Sequence, residues 1–114
     1  MKIKTKDQPR LFDVNGITIR DFGKIGLGAW EMVSVVTESR KECDITVTDW
    51  GIYLGSSLNG RLKKEGFKVA LVLNEGGKVF VNAVDTNKID IFEEYVSTQK
   101  SKIVCWLDEW VDSD

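Results

Sequence analysis

Histidine is absent from this 114-residue sequence, and that absence excludes more chemistry than any other feature of it. Without imidazole there is no general base with an ordinary pKa near neutrality and no Ser-His or Cys-His nucleophile. The commonest transition-metal ligand is missing as well. Cysteine is nearly as scarce. Cys43 and Cys105 lie far apart in no CxxC motif, so they read as small buried hydrophobes of a reducing compartment rather than a disulfide or a reactive thiol. Proline occurs once, at Pro9, and no Ser/Gly/Pro-rich stretch, repeat or low-complexity segment interrupts the chain. One domain over residues 1–114 is the simplest organisation. No apolar run reaches the roughly 18 residues that cross a bilayer, and no apolar stretch follows Met1-Lys2-Ile3-Lys4 as it would in a signal peptide. The expectation is a cytoplasmic protein without membrane contact.

What is present is ordinary in amount and uneven in placement. A content of 42% hydrophobic and 30% charged residues fits a folded chain. The net charge of −2 conceals a gradient. Residues 1–41 carry eight basic and five acidic side chains, residues 42–80 five of each, and residues 81–114 three basic and eight acidic. A basic stripe for nucleic acid is therefore not expected, whereas an acidic end suited to a basic protein partner is.

Periodicity places strands along most of the chain. Leu11 to Val14, then Asn15-Gly16, then Ile17 to Arg20 is a hairpin signature, because Asn-Gly accepts the positive φ angles of a type I′ turn. Residues 1–10 read as a short edge strand or a loose arm, and Gly23, Gly26 and Gly28 mark an irregular bend. Ala29 to Thr37 and Cys43 to Leu54 read as a second antiparallel pair around a polar loop. Residues 55–66 carry both helix signals (Leu58, Leu62, Gly66) and turn signals (Asn59-Gly60). Phe67 to Leu73 and Lys78 to Val84 form a third pair across Asn74-Glu75-Gly76-Gly77. Lys88 to Gln99 is a helix, capped from among Asp85, Thr86 and Asn87, with Ile89, Phe92 and Val96 on one face. Ile103 to Leu107 is a buried strand. The expected fold is α+β and strand-dominated: an antiparallel sheet of about six to seven strands, curved or sandwiched, with one helix from the C-terminal third packed on it.

Few residues suggest catalysis. Asp21-Phe22-Gly23 matches a kinase tripeptide only by coincidence, since the catalytic-loop histidine cannot exist here. Gly23 to Gly28 follows neither the GxGxxG nor the GxxxxGK order. No acid cluster has calcium-loop spacing, so no metal and no cofactor are expected. Carboxylates alone could still serve an enzyme, but they would have to face each other in a cleft, and no enzyme is expected. Asp49 beside Trp50 and Tyr53 is the acid–aromatic grouping from which a small-ligand site could be built.

The segment Trp106-Leu107-Asp108-Glu109-Trp110-Val111-Asp112-Ser113-Asp114 is the strongest feature. Trp106 belongs to the apolar run and reads as a core plug. Trp110, among Asp108, Glu109 and Asp112, is suited equally to the surface of the fold and to anchoring a partner. The helix acids Asp90, Glu93 and Glu94 would extend that surface. In size, acidity and acid–aromatic content the whole chain resembles the small immunity proteins of bacterial polymorphic-toxin systems, including contact-dependent growth inhibition. Phage-encoded inhibitors of bacterial defence share the profile. The resemblance carries no motif and transfers no residue. It implies an inhibitor that occludes the active site of one basic toxin or nuclease domain, with a small-ligand-binding β domain as the alternative. On this reading Trp110→Ala or Asp108→Lys weakens the complex and leaves the fold intact.

Overall fold

The computed structural model describes residues 1–111, which form a strand-rich, antiparallel α+β fold. Strands β1 (Lys2–Val14) and β2 (Ile17–Gly26) pair as a hairpin. It turns at Asn15 and Gly16, with φ of 49° and 88° as a type I′ turn requires. Of the two expectations for residues 1–10, the edge strand holds and the loose arm does not, and the strand runs on without a break into the hairpin. Pro9 is accommodated because β1 keeps a free edge and its register breaks between Thr5 and Arg10. The glycine bend begins later than expected, since β2 runs through to Gly26. At Gly23, with φ at 125°, a Cβ would collide with the Lys4 carbonyl, so only glycine fits.

A second sheet holds β3 (Glu31–Val36), β4 (Glu42–Val47) and the two-residue β5 (Ile52–Tyr53). In a third, β6 (Phe67–Leu73) lies between β7 (Val79–Asp85) and β8 (Lys102–Trp106). The single sheet of six to seven strands is therefore corrected to three small sheets. The physical reason lies in the connections. Trp30, with φ at 66°, turns the chain out of the hairpin and into β3. Strand β5 ends after two residues, so the second ladder stops before reaching β6.

Helix α1 (Arg61–Glu65) resolves the ambiguous stretch: a turn leads into one short helix that Gly66 closes at φ 94°. Helix α2 (Ile89–Thr98) follows a 3-10 turn whose Asn87 amide donates to the Asp85 carboxylate. Helix α3 (Leu107–Val111) begins where β8 stops, so Leu107 ends the apolar run as a helical residue.

The core divides at β6. Phe67 and Val69 pack with Leu62 on one face, where Cys43, Leu58 and Leu107 close around them. Ala70 and Val72 pack with Val96 on the other, against Phe92, Ile103 and Trp106. A strand covered on both faces needs apolar residues of both parities, and β6 supplies them at Phe67 and from Val69 to Leu73, with Lys68 the one charged exception. Of the two free cysteines Cys43 is half-buried, but Cys105 is exposed, contrary to the expectation of two buried thiols. Truncating Phe67 empties one side of β6. We expect Phe67→Ala to lower the unfolding free energy by about 3–5 kcal/mol, read from urea titration of tryptophan fluorescence.

Candidate functional site

The acidic end separates into residues that hold the fold and residues that face solvent. Asp108 belongs to the first group. It is buried at the start of α3 and accepts the Val69 amide at 3.0 Å and Lys68 Nζ at 3.0 Å. Val69 lies one residue past the last β6–β8 pair, Ala70 with Trp106, so the carboxylate takes over the ladder where β8 ends. Burial pushes the Asp108 carboxyl up, but the bonds from Lys68 and the Val69 amide outweigh it and the group ends below its ordinary value. Lys68 is correspondingly raised, chiefly by its hydrogen bond to Asp108. The expectation that Asp108→Lys would spare the fold is corrected: a lysine there would face Lys68 and leave a buried amide without its acceptor.

Glu109 and Trp110 lie on the outer side of this brace. Lys68 also reaches Glu109 Oε1 at 3.1 Å, yet Glu109 remains exposed. Trp110 is 76% exposed. Trp106 is a core residue, half-buried against Phe92 of α2 at 5.8 Å between ring centroids, with Lys68 Nζ 5.2 Å from its ring. It therefore links α2 to the base of α3. On α2 the inward residues are Ile89, Phe92 and Val96, while Asp90, Glu93 and Glu94 are all exposed. At about 100° per residue these three acids share one flank. Among the described residues none of them is ion-paired. Asp112 lies outside the described residues.

The alternative grouping is partly assembled. Trp50 and Tyr53 meet edge to face at 5.1 Å, both at least half exposed, with Asp49 beside them at the tip of the β4–β5 turn. Thr48 shapes that turn: its hydroxyl oxygen accepts the Trp50 and Gly51 amides at 3.1 and 2.9 Å. The surface is open. A cleft of about 650 Å³ lies elsewhere, between the hairpin tip at Val14 and Asn15 and the residues Val72, Phe80 and Tyr95. An apolar crevice of about 360 Å³ lies among Cys43, Leu54, Leu58, Val69 and Val81. Neither takes in Asp49, Trp50 or Tyr53.

Two polar clusters escaped the sequence pattern. Asp44, buried on β4, accepts Ser34 Oγ at 2.6 Å, Ser56 Oγ at 3.0 Å and Arg61 Nε at 2.6 Å. The Arg61 guanidinium and then the Ser34 hydroxyl hold its carboxyl down to about 2. Lys41 Nζ donates to Asp85 Oδ1 at 2.6 Å and to the Gly66 carbonyl at 3.0 Å. That contact, followed by the Asn87 amide, lowers Asp85. These clusters fasten the second sheet to α1 and to the ends of β6 and β7. Only the alternation along β4 hinted at one of them, since a lone Asp follows Cys43 and precedes Ile45.

Among the described residues no group of His, Cys, Asp and Glu is placed to hold a metal ion, and no helix is long and apolar enough to cross a membrane. No protein-family model, curated protein or solved structure matches the chain.

Two outcomes follow from the paired acids. Removing the Asp108 acceptor strands the Val69 amide, so Asp108→Ala should cost about 1–3 kcal/mol of stability in urea titration. Asp44 has a folded pKa below its ordinary 3.8. Its contribution is therefore present above pH 4 and lost as pH falls toward 2. The urea midpoint should drop over that interval, and Asp44→Asn should make the drop shallower.

Proposed function

We propose that this chain is a protein-binding inhibitor of the immunity type, which neutralises a cognate toxin by covering a cationic active site, as a nuclease domain would present. The observation that carries the reading is the three-quarters exposed Trp110 on a helix that Asp108 pins to β6. A large side chain on a braced helix loses little freedom when it enters a partner's pocket, which is how an anchor residue gains affinity. The second support is the α2 flank. Like charges three and four residues apart on a helix destabilise it. Asp90, Glu93 and Glu94 accept that cost without a cation among the described residues, which favours a partner that brings one. A phosphate-binding site is cationic, so acids around an aromatic anchor can occupy it as a mimic. In this reading Asp108 positions the surface, and Glu109, Trp110 and the α2 acids make it.

The alternative, a small-ligand-binding β domain, has the Trp50–Tyr53 pair in its favour, since exposed aromatic faces beside an acid suit a carbohydrate. It lacks the concavity that buries most of a small ligand.

The test is a titration against the product of the reading frame adjacent to the gene. Trp110→Ala should weaken the complex by at least about thirtyfold, a hot-spot loss of roughly 2 kcal/mol. Reversing Glu93 and Glu94 to lysine should slow association and flatten its salt dependence. Unchanged affinity in both variants, with wild-type circular dichroism, would remove the proposed surface.

A further inference from the structure

The β1–β2 hairpin is built unlike the rest of the chain. Its strands span 13 and 10 residues, and all of their residues except Pro9 and Asp21 are exposed. Neither core cluster contains a hairpin residue. Its tip, at Val14 and Asn15, borders the body of the chain across the cleft shared with Val72, Phe80 and Tyr95. A two-stranded ribbon so exposed is marginal by itself and needs a surface to pack on. The register supplies an apolar one. Val14 lies opposite Ile17 and Phe12 opposite Ile19, and the next pair on that face is Arg10 with Asp21. The reverse face carries Asp13 with Thr18 and Leu11 with Arg20. Beyond the register break, Ile3 stands opposite Ile25.

The size of the uncovered surface is informative. One chain exposes 8665 Å², whereas a compact monomer of its 12.9 kDa exposes roughly 6,300 Å². Its radius of gyration is 15.7 Å, against about 13 Å for a compact chain of this length. The excess, about 2,300 Å², is more than twice the roughly 800 Å² that each partner buries in a stable complex.

We propose that the apolar face of the hairpin is covered by a second copy of this chain, face on face about a two-fold axis. The charge pattern selects that occupant. The only charged residues on the face between the register break and the turn are Arg10 and Asp21. They bond to each other at 3.2 Å, with the Arg10 guanidinium 4.8 Å from the Phe12 ring. Two copies of the face therefore meet with apolar side chains opposed and no net charge to repel, which is the self-complementarity a two-fold interface demands. Two stacked ribbons about 10 Å apart would form a small sandwich. Trp110 and the α2 acids are not part of the hairpin face, so the dimer is argued without the inhibitor reading.

Sedimentation equilibrium of the full chain at about 100 µM, well above a micromolar Kd, should give about twice the 12.9 kDa chain mass. Ile19→Lys places a charge on the apolar face and should weaken association at least tenfold, returning the mass to one chain. Thr18→Lys adds the same charge one residue away on the reverse face and should remain dimeric. All four tryptophans lie outside the hairpin, so their near-ultraviolet dichroism should match wild type in both variants. A wild-type chain at single-chain mass overturns the proposal, as does equal dissociation of the two variants or a dimer that survives Ile19→Lys. Loss of the tryptophan signal in Ile19→Lys overturns it too, because the face would then belong to the core.

Discussion

Strand β6 is the constraint on which both halves of the buried structure rest. Every buried cluster of apolar side chains includes two of its residues, Phe67 and Val69 on one face, Ala70 and Val72 on the other. Burying both faces satisfies the side chains but leaves the backbone to be paired on both edges. Strand β7 covers one edge along its whole length. Strand β8 covers only part of the other, and at Val69 the partner becomes the Asp108 carboxylate. The remaining elements are arranged around this strand, and the second sheet reaches it by way of Lys41, Asp85 and Gly66.

The same bond connects fold to function. Where β8 runs out, a side-chain acceptor must fold back over the strand, and the tightest way to bring one is to start a helix at once. Helix α3 results, and Trp110 is carried outward on it. Acids in this protein thus have two uses that composition does not separate. Asp44, Asp85 and Asp108 accept hydrogen bonds from distant segments and have lowered pKa values. Asp90, Glu93 and Glu94 are exposed along one helix flank and, among the described residues, form no ion pair.

Local features were legible in the sequence. Asn15-Gly16 determines a turn through its own backbone preferences, Phe67 to Leu73 reports a strand paired across the Asn74 to Gly77 loop, and Ile89, Phe92 and Val96 report a helix face. Features made by distant residues were not. Asp108 looks solvated among its acidic neighbours because the lysine and the amide that bury it lie about forty residues earlier. Asp44 meets donors from three separate segments, and alternation along β4 names none of them. The division into three sheets was hidden for a related reason: strand period shows which side chain points where, but not which edge meets which. The hairpin's apolar face was present in the pattern Phe12, Val14, Ile17, Ile19. Its exposure became visible only once the rest of the chain was seen to pack elsewhere.

The central claim is that Asp108 completes the edge of β6 and thereby fixes the helix that presents Trp110. Native-state hydrogen exchange read by NMR addresses it at a single amide. If the claim holds, the Val69 amide exchanges as slowly as those of Ala70 and Val72, through global unfolding alone, although β8 does not extend to it. A Val69 amide that exchanges at the rate of the loop amides around Glu75, while Ala70 and Val72 stay protected, would contradict it.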